Sequence, residues 1–156
     1  MEIFKDFYLK IKLLREGAIS PHQANSDDKN AGYDMYAAES VVIYPNEDVL
    51  VPVGWACEFP EDFAMIIKDK SGRRWRYKLQ TGAGVIDSNY RDEVRVVLKN
   101  IGDTPTKIAK GEAIAQFIII PVWNGRPEIV KELNMLDDRG GGFGSTGLRN
   151  NTQGEI

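Results

Sequence analysis

From Phe7 to Leu13 the chain alternates: Phe7, Leu9, Ile11 and Leu13 on one side, Tyr8, Lys10 and Lys12 on the other. A period of two is that of a half-buried strand. A polar stretch, 15–30, then reads as loop. Val41–Ile43 runs into the turn residues Tyr44-Pro45-Asn46. Val49–Val53, Trp55–Phe59 and Phe63–Lys68 read as strands, separated by Gly54 and by Pro60-Glu61-Asp62. Val85-Ile86 and Val94–Leu98 flank a loop, and Ile101–Pro105 is another turn. Lys110-Gly111-Glu112 turns the chain into the longest apolar run, Ala113–Val122, interrupted by Gln116. Helical periodicity is scarce, and a short helix has no clear place. Short strands at near-regular spacing with Gly/Pro turns predict an all-β sandwich or jelly-roll barrel. Residues 137–156 hold little that can be buried, so the pattern divides the chain into a domain, 1–136, and an appended arm, 137–156.

Composition narrows the chemistry. A chain of 156 residues, 42% hydrophobic and 28% charged, is an ordinary globule long enough for a real core. A net charge of −3 exerts no global pull toward nucleic acid or anionic membrane. The single cysteine, Cys57, excludes an internal disulfide and any multi-cysteine metal site. The single histidine, His22, lies in a polar stretch and argues against a histidine zinc site or a Ser-His-Asp triad. Catalysis would then rest on carboxylates, hydroxyls or a bound metal. The first residues carry charges throughout, unlike a secretory signal, and no apolar run approaches the roughly 18 residues of a membrane span. The expectation is a soluble intracellular protein.

Five stretches carry candidate chemistry, and each has a plain structural alternative. Residues 31–40, AGYDMYAAES, set Asp34 near a strand start, where an acidic residue is also an ordinary turn or cap. Residues 68–78, KDKSGRRWRYK, hold six basic residues against Asp69, interleaved with Trp75 and Tyr77. That is how a single-strand nucleic-acid patch looks, and also how a solvated basic loop looks. In residues 82–94, GAGVIDSNYRDEV, Asp87 and Tyr90 sit in a hairpin loop. A carboxylate there could act as a general base, or simply form an Asx turn. Gln116 is a polar residue in an apolar strand, so its amide must find partners, in a neighbouring strand or a ligand. Finally, RGGGFGSTG at 139–147 contains G-x-G-x-x-G, yet no βαβ unit surrounds it, and Leu148 stands where a P-loop needs lysine. Its glycines let N–H groups ring an anion, Arg139 can fork onto phosphate and Phe143 can stack on a base. A flexible solvated tail has the same composition.

In this order the five stretches resemble the five motifs of the homotrimeric dUTPases, across 31–147. The resemblance implies a jelly-roll-like β-barrel and a homotrimer. Its three active sites lie between subunits, each closed by a neighbour's flexible C-terminal arm. It implies hydrolysis of dUTP to dUMP and pyrophosphate with Mg²⁺, which limits uracil in DNA and supplies dUMP for dTTP synthesis. Asp87 would be the general base acting on a water that attacks the α-phosphorus. Asp34 would touch the metal through water. Lys70, Ser71, Gly72 and Gln116 would hold phosphates. Backbone from Gly82 through Gly84, Val85 and Ile86 to Asp87 would pair with the uracil edge, and Tyr90 would lie under the deoxyribose. In the arm, Phe143 would stack over uracil, Arg139 would hold the γ-phosphate, and Gly144, Ser145 and Thr146 would wrap the phosphates. The family implies a cytoplasmic location, or the host cell, nucleus included, for a viral member. It leaves room for a regulatory protein partner; nucleic acid and membrane are not expected.

The sequence departs from the family at three places. Lys70 replaces the usual arginine and keeps the charge without the fork; either Arg73 compensates as a further substrate-binding residue, or the α-phosphate grip is weaker. Asp92 stands where glycine usually follows Tyr-Arg. The interval from Arg139 to Phe143 is one residue short. The nearest rival, dCTP deaminase, shares the fold and carries a catalytic glutamate where this chain has Val97. A binding module using the basic stretch, and a capsid-like structural jelly roll, are the other readings. Retention of Asp87 and the arm speaks against the first, and the tail and GAGVID segment against the second.

Overall fold

The computed structural model describes residues 5–23 and 30–134. Strands β1 (Lys10–Leu13), β2 (Tyr33–Tyr36), β3 (Val41–Ile43), β4 (Asp48–Pro52), β5 (Trp55–Glu58) and β6 (Phe63–Asp69) precede one short helix, α1 (Ser71–Tyr77). Strands β7 (Leu79–Gly82), β8 (Val85–Ile86), β9 (Arg95–Asn100), β10 (Thr106–Ile108) and β11 (Ala113–Pro121) follow. All pairings are antiparallel. They form sheets in the orders β2-β11-β6-β8, β4-β9-β7, β1-β5 and β10-β3. The architecture is all-β and jelly-roll-like, as the alternation predicts. Two compact units result, Met1–Asn124 and Gly125–Ile156; in the second, the described residues 125–134 carry no regular element. Among the described residues no helix is long and apolar enough to cross a membrane.

The inward faces of the strands make one core. Trp55, Met35, Ile43, Met65, Leu98 and Phe117 are fully buried. Phe117 stacks on Tyr33 at 5.3 Å between centroids and meets Trp55 at 6.1 Å. Asn100 is buried with every polar atom engaged: its amide donates to the carbonyls of Ile43 (2.9 Å) and Thr104 (2.8 Å), and its oxygen accepts from Gly102 N–H (2.9 Å). Such a satisfied amide fixes the turn after β9 at little net cost, whereas an unpaired one would be destabilising.

Four features differ from the sequence pattern. The alternation in β1 holds for half-buried Phe7, Leu9 and Ile11, but Leu13, at the strand's end, is 53% exposed. The segment 85–98 is not a paired hairpin: β8 pairs with β6, while β9 pairs with β4 and β7. The switch between sheets occurs at Ala83 (φ 52°) and Gly84 (φ 105°). The basic stretch is not a loop but contains α1, which buries none of its residues and so leaves no apolar period to read. Strands β7 and β10 give no clear sequence signal: LQTG has a single buried apolar residue, and TKI, although alternately buried, is only three residues long.

Cys57 lies buried on β5, and burial pushes its thiol from 9.0 up to about 11. A group raised on folding stabilises the fold below its unfolded value. That contribution is lost as pH rises, here across about pH 9 to 11. We expect the native thiol to resist iodoacetamide at pH 8 and to react fully once the chain is unfolded. Rapid native-state alkylation, read by mass, would contradict this.

Candidate active site

The centre of the four-stranded sheet assembles one cluster. Across β2-β11-β6, Asp34 lies opposite Gln116, and Gln116 opposite Lys68. Asp34 is 7% exposed, and Lys70 Nζ donates to its Oδ1 at 2.5 Å. The Asp34 N–H bonds to the His22 carbonyl at 2.8 Å, and His22 stacks on Tyr36. Burial, and then the Asp34 charge, raise the Tyr36 phenol above its ordinary value. Gln116 donates to the Asp69 carbonyl at 2.9 Å. Gly32 backs this amide so closely that a Cβ there would lie 2.4 Å from Gln116 Oε1. Only glycine lets Gln116 sit where it does.

Lys70 is the N-cap of α1, and its side chain caps no N–H of the first turn. Ser71 and Gly72, exposed, open the helix beside the Asp34–Lys70 pair. A Cβ on Gly72 would meet nothing within 4 Å. The chain's own packing therefore does not require glycine there. This separates two effects of Gly72→Ala. Stability should hold or rise, by up to about 1 kcal/mol from helix propensity, while affinity for a nucleoside triphosphate falls. A thermal melt and a nucleotide titration of the same variant check this; a variant with unchanged affinity would mean that nothing approaches Gly72.

Charge in the basic stretch is largely spent internally. Lys70 pairs with Asp34, Arg73 with Glu112 at 3.1 Å, and Arg74 lies 3.8 Å from Asp69. Lys78 stands over the Trp75 ring at 5.0 Å. Half of the six cations are thus paired within the chain, which lowers the charge available to a nucleic-acid groove, while exposed Lys68, Arg76 and Lys78 have no ion pair among the described residues. Arg73, read from the sequence as a phosphate ligand, points its guanidinium at the start of β11.

From the first cluster, β7 and β8 lead the chain to Asp87. Asp69, whose role the sequence did not reveal, accepts from Thr81 N–H (2.6 Å) and Oγ1–H (2.8 Å) and so ties β7 to the end of β6. Gly84 presents its carbonyl to Ile67 N–H at 2.7 Å, and a Cβ on Gly84 would lie 3.0 Å from the Ile67 carbonyl oxygen. Val85 and Ile86 pair with Ile66 and Met65. Asp87 is exposed at the rim of a concavity of about 1130 Å³, shared with Val85, Ser88 and Asn89. Tyr90 packs on the core, and its hydroxyl donates to the Glu93 carbonyl at 3.0 Å.

The structure thus gathers Asp34, Lys70, Ser71, Gly72 and Gln116, but not Asp87. Asp87 follows the Ile86–Met65 pair, and Lys70 follows Asp69 at the other end of the same strand. The Asp34–Gln116 pair, level with Lys68, lies four steps along β6 from the level of Asp87, and Lys70 lies six, so at about 3.3 Å each the separations are roughly 13 Å and roughly 20 Å. Arg139, Phe143, Gly144, Ser145 and Thr146 lie outside the described residues.

The dUTPase family model matches residues 18–147. The chain belongs to the dUTPase family. A deoxyuridine 5'-triphosphate nucleotidohydrolase of Hydrogenobaculum sp. is 39% identical over 144 residues, covering 90% of this chain and 99% of that one. The enzyme of the same name from Clostridium acetobutylicum is 38% identical over 143 residues, covering 90% and 97%. Among solved structures, the dUTPase of Staphylococcus bacteriophage 80alpha with dUpNHpp is 28% identical, with a TM-score of 0.84 over 90% of this chain and 99% of that one. The dUTPase of the S. aureus phage phi11 shares the fold at 24% identity and a TM-score of 0.76, over 81% and 98%; that protein coordinates a structural Mg(II) ion.

Within a dUTPase, two further observations bear on the chemistry. Val97, where a related deaminase carries its glutamate, packs against β7: a Cβ on Gly82 would lie 3.1 Å from Val97 Cγ1. An apolar side chain there offers no proton for deamination. Among the described residues no group of three or more His, Cys, Asp or Glu could hold a metal, and the Asp34 carboxylate already engages Lys70. The donors present would suit a cation carried in on phosphate oxygens better than one held by the protein alone.

Proposed function

We propose that the chain hydrolyses dUTP to dUMP and pyrophosphate at a site built from more than one copy of itself, a homotrimer. The observation that carries this reading is the separation along β6 between Asp87 and the phosphate grip, roughly 13 Å to the Asp34–Gln116 pair and roughly 20 Å to Lys70, which argues against their meeting on one α-phosphate within a single chain. Each site would then take its phosphate grip from one subunit and its base from another. Lys70, Ser71, Gly72 and Gln116 hold the triphosphate. Asp87 orients a water and takes its proton as the water oxygen bonds to the α-phosphorus. The bond from that phosphorus to the bridging oxygen breaks, and pyrophosphate leaves. When bound, Mg²⁺ neutralises part of the triphosphate charge and fixes its geometry.

Selectivity belongs to the 82–90 segment. The backbone at Gly82, Gly84, Val85 and Ile86, held against β6, pairs with the uracil edge, leaving no room for a thymine methyl and the wrong partners for cytosine. The Tyr90 ring, fixed by its bond to Glu93, closes the space of a 2′-hydroxyl. The arm residues Arg139, Phe143, Gly144, Ser145 and Thr146 would close over γ-phosphate and base and exclude water. The activity would keep uracil out of DNA and supply dUMP for dTTP synthesis.

Pyrophosphate release with Mg²⁺ tests this. Release from dUTP, and not from dCTP, dTTP or UTP, is expected. Silence with all four would refute the reading, and ammonia from dCTP would favour the deaminase instead.

A further inference from the structure

Helix α1 carries Ser71 and Gly72, yet none of its residues is buried. Burial of an amphipathic face, the usual anchor of a short helix, is missing here. Polar ties must hold it. The Lys78 carbonyl accepts from Ile101 N–H at 2.9 Å and secures the C-terminal end. The N-terminal half has Lys70 on Asp34 and a second tie at Arg73. Its side chain is only 16% exposed, whereas its neighbour Arg74 is 43% exposed. Arg73 Nε donates to the Ala113 carbonyl at 2.7 Å, Nη2 donates to Glu112 Oε2 at 3.1 Å, and the guanidinium lies 5.0 Å from the Tyr77 ring centroid. Ala113 opens β11 three residues before Gln116, and Arg73 follows Ser71 by two. One guanidinium therefore joins the helix that presents Ser71 to the strand that presents Gln116.

We infer that Arg73 is a positioning residue, not a phosphate ligand. It clamps α1 to the Lys110–Glu112 turn and keeps Ser71 and Gln116 in one alignment. Two of its five N–H donors, Nε–H and one on Nη2, already serve Ala113 and Glu112, and turning these two to a phosphate would release the helix. The inference rests on the reading that Ser71 and Gln116 grip the triphosphate. It assigns Glu112, which touches no part of that grip, a role in turnover through Arg73.

The test compares Arg73→Ala, Glu112→Gln and the double variant. Glu112→Gln keeps an acceptor for the Ala109 N–H but weakens the pull on the guanidinium. Two readouts are taken: amide exchange of α1 by mass spectrometry, and kcat/KM for dUTP. A positioning role predicts faster exchange in α1 in both single variants. It also predicts a fall in kcat/KM of about tenfold for Arg73→Ala, a smaller fall for Glu112→Gln, and a double variant no worse than Arg73→Ala. Native turnover and native exchange in Glu112→Gln, beside a loss in Arg73→Ala, would make Arg73 a direct ligand and overturn the inference. Unchanged α1 exchange in both single variants would overturn it regardless of activity. If Arg73→Ala does not fold, Glu112→Gln alone decides by the same two readouts. A parent protein that does not hydrolyse dUTP would refute the proposed function separately, and α1 exchange would still decide the clamp.

Discussion

Replacing Asp87 by Asn is expected to lower kcat for dUTP by about a thousandfold, with affinity for dUpNHpp held within about threefold. The substitution preserves size and removes only the basic oxygen. Structure gives little reason for collateral damage: Asp87 is exposed, and among the described residues its carboxylate makes no hydrogen bond or ion pair. Its backbone carbonyl, which accepts from Tyr90 N–H at 3.1 Å, is untouched. The loop should therefore keep its shape while the attacking water loses its proton acceptor. Single-turnover kinetics and calorimetric titration separate the two effects. Joint loss of binding and turnover would mean that Asp87 shapes the pocket, and retained turnover would move the base elsewhere.

The second large effect concerns assembly. Asp87→Asn and Gln116→Ala, each nearly inactive alone, are expected to restore activity when unfolded together and refolded as a mixture. If base and phosphate grip come from different subunits, random mixing places an intact Asp87 opposite an intact Gln116 in about a quarter of the sites. If both came from one chain, every site would carry one defect and the mixture would stay inactive. The separation along β6, roughly 13 Å from Asp87 to the level of Gln116 and roughly 20 Å to Lys70, makes the first outcome the expected one. Measured specific activity near the sum of the separate variants would refute shared sites, and a light-scattering mass of a monomer would do so independently.

Much of the fold could be read in advance because its cause is local. Strand β11 announces itself as an apolar run, and the turns at Pro45, Gly54 and Pro60 punctuate the strands. Likewise Lys70-Ser71-Gly72 and the GAGVID segment are recognisable side by side in the chain. A short helix has no clear place in the sequence because no face of α1 is buried. The role of Arg73 is hard to read from sequence for a related reason. Six cations in eleven residues look alike in sequence, and only their partners, Asp34, Glu112 and Asp69, distinguish them.

The sequence alone determined the β-rich class, the lack of a second cysteine for an internal disulfide, and which residue types stand in the dUTPase motifs. Those follow from period, composition and identity, all properties of neighbours along the chain. The tertiary structure decided what those residues do to one another. Pairing of β11 with both β2 and β6 brings Asp34, Gln116 and Lys70 together across separations of 36 residues and more. Routing of β8 along β6 carries Asp87 away from them. Such contacts depend on which strand edges meet, an outcome of packing the whole core that no local pattern encodes.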